Sequence, residues 1–373
     1  MKQLKVIMSG GGTGGHIFPA VAIANEIKKL VPHAQILFVG ALGKMEMEKV
    51  PNAGYEIIGV PIAGFQRRFT LSNLKLPFLI LQSLIKTRKI LNSFQPDVVV
   101  GTGGYASGPL LRAATSRGIP ALIQEQNSYA GITNKILAKK ANKICVAYEG
   151  MERFFPSEKI ILTGNPVRQD LGDLKNKRDE AFAFFHLDKN KKTILVIGGS
   201  LGARTINESI GEGLNKINEN NFQLIWQTGK TYYTKAFEQC KNSNGKGVLA
   251  FEFISRMDLA YAAADIVVSR AGASSVSELC NLALPCILVP SPNVAEDHQT
   301  KNAMALVNKE AAILVKDAEA RQQLVNTLIE LIGNNDKRQA LCNNISKMAF
   351  HHSANTIAKE VLKLAKYTLN ENP

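Results

Sequence analysis

Residues 5–20 read KVIMSGGGTGGHIFPA: a short apolar run, then closely spaced glycines, then a segment predicted to be helical. Residues 193–203 read TILVIGGSLGA and repeat the same order of apolar run, glycine turn and predicted helix. The two stretches lie about half a chain apart. They therefore predict two similar folding units and argue against a solenoid of short repeats.

Short apolar runs alternate with segments of helical period along both halves of the chain. The strands expected from them are 4–8, 36–39, 56–60, 97–100, 121–124 and 143–147, followed by 193–197, 223–227, 248–253, 265–269, 286–289 and 312–315. Continuous apolar strands separated by helices are typical of parallel sheets that are covered on both faces. We therefore predict an α/β protein with two Rossmann-like, doubly wound domains facing across a cleft.

The length of 373 residues suits two or three domains of roughly 150 residues each. The sequence GNPVRQD at 164–170 is the expected boundary. We expect an N-terminal domain over 1–165 and a C-terminal domain over 166–350. The helix predicted within 351–373 has apolar residues at helical spacing on one side, so it is expected to pack back on the first domain.

The net charge of +14 is concentrated in the first half of the chain. Residues 1–165 hold 20 basic and 9 acidic side chains, whereas the remainder holds 25 and 22. Such a surface implies an anionic partner, which could be a phosphorylated ligand, an anionic lipid or a nucleic acid. We expect no nucleic-acid partner, because no recognised binding motif accompanies the charge.

The sequence predicts a cytoplasmic protein that does not cross the membrane. The five cysteines are widely spaced and form no CxxC pair, which disfavours zinc and disulfide frameworks. The N-terminal apolar run breaks into glycines too early for a signal peptide. The most apolar window, 74–85, is too short to span a bilayer.

The first glycine turn, at residues 10–15, is suited to binding an anion. Glycines let backbone N–H groups approach a phosphate closely, and the following helix directs its positive end there. The turn also fits the GxGxxG pattern of dinucleotide-binding enzymes. However, the second strand ends in GAL at 40–42, without the acidic residue that would hold a ribose. A purely structural turn is the remaining alternative.

The second glycine turn, GGSLG at 198–202, matches the GxSxG pattern of a hydrolase nucleophile elbow. Asp265 and His298 follow in the order that a hydrolase triad requires. A phosphate-binding role for Ser200 explains both glycine turns with one mechanism and is therefore favoured. No Asp-x-Asp pair occurs, so a metal ion is not indicated.

Polar side chains follow several predicted strands at their carboxyl ends, where ligands bind in open α/β sheets. In the first half, His16, Tyr105, Glu125 and Asn127 are expected to converge. In the second half, RAGASSVSE at 270–278 opens a helix whose N-terminus suits phosphate. Glu278 in that helix could accept hydrogen bonds from ribose hydroxyls.

The chain resembles the peptidoglycan-synthesising members of glycosyltransferase family 28. Nearly the whole chain carries the resemblance, in the stretches GGGTGGHIFPA, GTGGYASGP, EQNSYAGITNK, GNPVR, GGSLGA, RAGASSVSE and EDHQTKNA. It implies a GT-B fold and inverting transfer of N-acetylglucosamine from UDP-GlcNAc to lipid I (undecaprenyl-diphosphate-MurNAc-pentapeptide), without a cofactor. The alternatives are another glycolipid transferase, a UDP-GlcNAc epimerase and a non-catalytic UDP-sugar-binding subunit.

The resemblance also implies roles for particular residues. Ser200 would contact the donor diphosphate, the Ile254 backbone would meet uracil, and Gln299 would meet sugar hydroxyls. The full set expected to bind the donor is Thr13, Gly14, Gly15, Asn127, Arg168, Ser200, Ile254, Ala273, Ser274, Ser275, Val276, Ser277, Glu278 and Gln299. One departure is visible, because the family often has histidine where this chain has Gln124.

Two catalytic bases are candidates for the acceptor hydroxyl. His16 is favoured because histidine exchanges a proton near neutral pH, and Glu125 is the competitor.

The acceptor is membrane-bound, so we expect docking on an anionic membrane surface at the cytoplasmic face of the inner membrane, with other cell-wall synthesis proteins as further partners. Apolar residues ringed by cations suit such a surface. The expected acceptor and membrane residues are Tyr105, Phe65, Arg67, Arg68, Lys75 and Phe78. An ordinary core helix beside a basic loop is the alternative for this segment.

Overall fold

The computed structural model describes residues 3–62, 76–167, 171, 174–199, 201–243 and 247–369. The chain forms two compact units. Unit 1 comprises Met1–Val167 together with Phe350–Pro373, and unit 2 comprises Arg168–Ala349.

Unit 1 contains a seven-stranded sheet within the described residues, in the order β3-β2-β1-β4-β5-β6-β7, and every neighbouring pair is parallel. The strands are β1 (Lys5–Gly10), β2 (Gln35–Ala41), β3 (Glu56–Val60), β4 (Val98–Gly103), β5 (Ala121–Glu125), β6 (Lys143–Val146) and β7 (Ile160–Leu162). Its first five helices are α1 (Gly14–Leu30), α2 (Glu46–Asn52), α3 (Leu76–Phe94), α4 (Ser107–Thr115) and α5 (Ile132–Ala138).

Alternate residues of each strand in unit 1 enter two different cores. Val6 and Met8 of β1 pack on one face of the sheet, with α1, whereas Ile7 packs on the other face, with residues of α4. Successive side chains of a strand point to opposite faces, so a strand covered on both sides must be apolar throughout. This explains why the strands of this chain read as continuous apolar runs.

In the part of unit 2 that the structure describes, six strands form a parallel sheet in the order β10-β9-β8-β11-β12-β13. The strands are β8 (Thr193–Ile197), β9 (Gln223–Gln227), β10 (Val248–Phe251), β11 (Ile266–Ser269), β12 (Cys286–Leu288) and β13 (Ile313–Leu314). The helices are α6 (Arg178–Phe184), α7 (Arg204–Glu212), α8 (Leu214–Glu219), α9 (Lys230–Asn242), α10 (Met257–Ala263), α11 (Ala273–Leu282), α12 (His298–Val307), α13 (Ala320–Gly333) and α14 (Asn335–Ser346).

The last helix, α15 (Ser353–Leu364), belongs to unit 1 although unit 2 precedes it in the chain. Ile357 and Val361 are fully buried in the same core as α1 and β1. Asn355 Nδ2 donates a 2.7 Å hydrogen bond to Glu26 Oε1 of α1. The helix thus covers one face of the first sheet.

The amino edge of each sheet carries the same kind of hydrogen bond, from a backbone N–H group to an aspartate. Asp97, just before β4, accepts a 2.9 Å hydrogen bond from the backbone N–H of Lys5 at the start of β1. Asp265, just before β11, accepts a 2.8 Å bond from the N–H of Thr193 at the start of β8. Each aspartate ties the first residue of a central strand to its parallel neighbour. The internal repeat inferred from the glycine turns therefore extends to the opposite end of each sheet.

Candidate functional site

The glycine turns occupy equivalent places in the two sheets. β1 and β4 are neighbours, but from β1 the chain continues to β2 and β3 on one side, and from β4 to β5 and β6 on the other. β8 and β11 have the same relation in unit 2. Ligands of open α/β sheets bind outside the carboxyl ends of such strand pairs. These are the strand ends that carry the turns after β1 and β8.

Thr13, Gly14 and Gly15 lie where the turn after β1 becomes α1. Thr13 is the exposed N-cap residue, and Gly14 and Gly15 form the first turn of the helix. That first turn contains no acidic residue, so no side chain there offsets the positive end of the helix. The arrangement suits an anionic group.

A buried carboxylate holds the turn after β1 in shape. Glu46 lies at the start of α2 and is fully buried. Its Oε2 accepts a 2.8 Å hydrogen bond from the N–H of Gly12, and its Oε1 accepts a 2.9 Å bond from the N–H of Ala41. The carboxylate therefore fixes the glycine turn to the end of β2. Sequence reasoning missed this residue.

His16 is half-buried in the first turn of α1. Its Nδ1 lies 2.7 Å from Oε1 of Gln126, which follows β5. Its backbone carbonyl accepts a 2.7 Å hydrogen bond from Oγ1 of Thr102 in β4. The histidine is thus tied to the carboxyl ends of two neighbouring strands.

Glu125 ends β5 and is almost completely buried. Its Oε1 accepts hydrogen bonds from the backbone N–H and the side-chain Nδ2 of Asn127, at 3.1 and 3.3 Å. Its Oε2 accepts from the N–H of Gly131 at 3.0 Å and from Asn134 Nδ2 at 2.8 Å. The carboxylate is therefore engaged in folding the loop that leads into α5.

The other polar groups predicted at this edge differ in exposure. Tyr105, between β4 and α4, is 48% exposed. Asn127 is half-buried and directs its amide nitrogen towards Glu125. His16, Tyr105 and Asn127 thus follow β1, β4 and β5 at one edge of one sheet.

Gly202, in the turn after β8, packs against the end of β9 without room for a side chain. A methyl group added at Gly202 would lie 1.9 Å from the carbonyl oxygen of Thr228. Gln227, the last residue of β9, donates from Nε2 to the Gly199 carbonyl at 3.1 Å. Its Oε1 accepts a 2.9 Å bond from the N–H of Ile254. One glutamine therefore links the glycine turn to Ile254, whose N–H is already bonded.

The residues predicted to hold phosphate and ribose lie in α11. Gly272 is the N-cap, and no acidic residue occupies the first turn. Ala273 and Val276 are buried, so a ligand would meet them through the backbone; Ser274, Ser275 and Ser277 are half-buried. Glu278 is buried one turn further on, and its Oε2 accepts a 2.8 Å hydrogen bond from the hydroxyl of Tyr261.

Gln299 lies at the start of α12 and is half-buried. Its Oε1 accepts a 2.8 Å hydrogen bond from the N–H of Ser291. The amide oxygen therefore faces the backbone, and the NH2 group is the part suited to sugar hydroxyls.

An ion-pair cluster supports the turn that carries Ile254. Arg256 donates two 3.0 Å hydrogen bonds to the Asp258 carboxylate, and Lys177 Nζ donates a third at 2.9 Å. These cations hold the pKa of Asp258 well below its usual range, with the hydrogen bonds from Arg256 as the main cause. The carboxylate stays ionised at physiological pH and anchors the turn to the start of α10.

The structure excludes Asp265 as the acid of a hydrolase triad. Asp265 lies at the amino edge of the second sheet, bonded to the N–H of Thr193 and to Arg178 at 3.2 Å. The GxSxG turn follows β8 at the carboxyl edge. All strands of this sheet are parallel, so the whole length of a strand separates the two groups. The proposed acid therefore cannot serve that turn.

Some predicted site residues lie outside the described residues: Phe65, Arg67, Arg68, Lys75, Arg168 and Ser200.

Phe78 is described and lies in α3, where it is 62% exposed. Leu81 and Ile85 follow on the same helix face and are also exposed. Arg88 and Lys89 are exposed towards the end of the helix. Within the described ranges, no helix is both long enough and apolar enough to cross a membrane.

Two family models match the chain, one in its N-terminal part and one in its C-terminal part. The Glycosyltransferase family 28 N-terminal domain matches residues 6–146, and the Glycosyltransferase family 28 C-terminal domain matches residues 193–361. Together they span most of the chain.

Curated relatives cover nearly the full length. The chain is 57% identical over 364 residues to the UDP-N-acetylglucosamine--N-acetylmuramyl-(pentapeptide) pyrophosphoryl-undecaprenol N-acetylglucosamine transferase of Parabacteroides distasonis, covering 98% of this chain and 99% of the relative. It is 58% identical to the protein of the same description from Bacteroides fragilis, covering 97% and 96%. The crystal structure of MurG from Acinetobacter baumannii matches with a TM-score of 0.79 and 26% identity, covering 97% of this chain and 100% of that chain.

Replacing Glu46 by Gln should destabilise unit 1 by about 1–3 kcal/mol, because one buried N–H then loses its carboxylate acceptor. Urea denaturation monitored by circular dichroism measures the change. Glu48→Gln is the matched control, since Glu48 lies in the same helix and is exposed. Equal stability of the two variants would contradict the anchoring role of Glu46.

Proposed function

The chain belongs to glycosyltransferase family 28, and we propose that it transfers N-acetylglucosamine from UDP-GlcNAc to the muramoyl sugar of lipid I, which gives lipid II. The near-full-length similarity to relatives described as this transferase supports the assignment most directly. The fold is GT-B, with two Rossmann-like α/β units. Both units carry an anion-suited glycine turn at the edge where such sheets bind ligands.

Unit 2 supplies most of the proposed donor-binding groups. The N-terminus of α11 and the turn after β8 offer backbone N–H groups to the diphosphate, with Ser200 in that turn. The Ile254 N–H is bonded to Gln227, so the Ile254 carbonyl is the group that would accept the N–H of uracil. Glu278, oriented by Tyr261, would accept a ribose hydroxyl. Arg168 and Gln299 would contribute further contacts to the donor.

His16 of unit 1 is the proposed base. The acceptor hydroxyl oxygen attacks the anomeric carbon of the donor sugar and transfers its proton to His16. The bond between that carbon and the diphosphate oxygen breaks, and UDP leaves with the electron pair. Because attack is in line, the α-linked donor gives a β-linked product. Backbone N–H groups and helix N-termini would stabilise the charge that develops on UDP.

Glu125 has a different proposed role. Its four hydrogen-bond donors come from Asn127 and Gly131 in the loop after β5 and from Asn134 in α5. A buried carboxylate held in this way organises the loop.

The sugar-phosphate side of the donor would then lie against Thr13, Gly14, Gly15 and Asn127, and the acceptor against Tyr105.

The acceptor is membrane-linked, so we propose that the protein docks peripherally on the cytoplasmic face of the membrane through the segment around α3. Phe78, Leu81 and Ile85 form an exposed apolar stripe that ends near Arg88 and Lys89. Apolar groups beside cations bind an anionic leaflet, at about 1 kcal/mol per basic residue near the surface. The basic residues of 1–165 would add to this attraction.

UDP release from UDP-GlcNAc tests the reaction. We expect release only when a lipid I analogue is present, with the sugar recovered on the acceptor. His16→Ala should lower kcat by about 10²–10⁴-fold, the usual contribution of a general base. His33→Ala, at an exposed histidine of the same unit, should leave kcat unchanged. Consumption of the donor without an acceptor would contradict transferase activity, and normal kcat in His16→Ala would contradict the base assignment.

Glu278→Gln should raise the donor KM by about 10–100-fold, because a hydrogen bond to a charged group contributes about 1.5–3 kcal/mol. Steady-state kinetics with varied UDP-GlcNAc measures this. Glu238→Gln, at an exposed position of α9, is the control and should have no effect. An unchanged donor KM in Glu278→Gln would refute the ribose contact.

Sedimentation with lipid vesicles tests the membrane surface. Vesicles of anionic phospholipid should carry the protein down more strongly than neutral vesicles. Phe78→Ser/Leu81→Ser should weaken binding by about tenfold or more, since a buried apolar side chain contributes about 1.5–3 kcal/mol. Phe237→Ser, at an exposed phenylalanine of unit 2, is the control. Unchanged binding of the double variant would contradict docking through α3.

A further inference from the structure

A group of buried side-chain amides lies behind His16. Gln126 donates from Nε2 to the carbonyl oxygens of Thr102, at 2.7 Å, and of Gln124, at 2.9 Å. It also donates to Oε1 of the Gln124 side chain. Its own Oε1 lies 2.7 Å from His16 Nδ1.

The remaining members hold this group together. Gln124 donates from Nε2 to Asn165 Oδ1 at 2.9 Å, and Asn165 donates from Nδ2 to the Gln126 carbonyl at 2.9 Å. Gln124, Gln126 and Asn165 are all at least 97% buried. A buried amide that lacks a hydrogen-bond partner is energetically unfavourable, so the network favours one orientation of each side-chain amide.

The network determines which end of the Gln126 amide faces His16. In the opposite orientation, the amide oxygen would lie against three other oxygens, those of Thr102 and Gln124, at hydrogen-bond distance. Like dipoles in a buried site make that arrangement unfavourable. The oxygen therefore faces the histidine, and it can only accept a hydrogen bond.

The histidine ring is also restricted in position. It packs directly on the backbone of Gly103, where an added methyl group would lie 2.8 Å from Cε1 and 2.9 Å from Nδ1. Only glycine leaves this space. The contact with Gly103 and the 2.7 Å contact with Gln126 Oε1 therefore keep Nδ1 of His16 in one position.

We propose that Gln126 is a positioning residue that keeps neutral His16 in its Nδ1–H tautomer and so leaves the lone pair on Nε2. This inference rests on the proposed role of His16 as base. A free histidine prefers the other tautomer, with the proton on Nε2, which could not accept a proton at that atom. When Nε2 takes the acceptor's proton, Nδ1–H stays bonded to Gln126, and the charged ring strengthens that bond.

NMR of protein labelled with ¹⁵N-histidine tests the tautomer directly, and a His16→Asn variant assigns the signals. The wild-type protein should show His16 protonated at Nδ1 at a pH where the ring is neutral. Gln126→Met, which removes the acceptor, should shift His16 towards the Nε2–H tautomer. Gln124→Met is the matched control: the Thr102 and Gln124 backbone carbonyls still orient Gln126, so the Nδ1–H tautomer should persist.

Kinetics supply a second readout. Gln126→Met should lower kcat by about 10–100-fold, because the charged ring loses a hydrogen bond. The donor KM should stay the same, since Gln126 is not proposed to touch the donor. An Nε2–H tautomer in the wild type, or an Nδ1–H tautomer retained in Gln126→Met, would overturn the inference. The Nδ1–H tautomer without acceptor-dependent transfer would contradict the proposed function while supporting the tautomer assignment.

Discussion

The parallel pairing of β1 with β4, and of β8 with β11, is the constraint on which the candidate site depends. Parallel strands bring their carboxyl ends to one edge of the sheet. In both pairs the chain then departs to opposite sides, so the crossover helices leave that edge uncovered. Glycine turns and helix N-termini converge there in each unit. Anion binding at these places needs little net charge, which is consistent with the smaller charge of the second half.

Much of the fold could be predicted from the sequence because strands covered on both faces are apolar through their central positions. The runs at 193–197 and 223–227 match β8 and β9 to the residue. β7 was missed, since a three-residue edge strand gives too short a signal. The glycine turns were recognised from their local spacing. The GxSxG pattern was misleading for the same reason, because a local motif carries no information on where Asp265 lies in the sheet.

The parts of the site that sequence reasoning missed depend on contacts between distant residues. Glu46 bonds to Gly12 across 34 residues, and its neighbour Glu48 is exposed, so the two glutamates look alike in sequence. The EQN stretch pointed to the loop after β5, and Glu125 was the obvious acid in it. Its four donors became visible only in the folded chain. Gln126 could not be identified from the sequence, because the orientation of a side-chain amide is set by its hydrogen-bond partners in the folded chain.

The position of α15 affects the order in which the protein can fold during synthesis. Unit 2 is continuous in sequence, so the ribosome releases all of its core residues before residue 350. Unit 1 begins first, yet Ile357 and Val361 complete its core. One face of its sheet, including Val6 and Met8, stays without its final cover until α15 emerges. Domains generally fold as soon as they are complete. The half of the chain made first is therefore the half that finishes folding last.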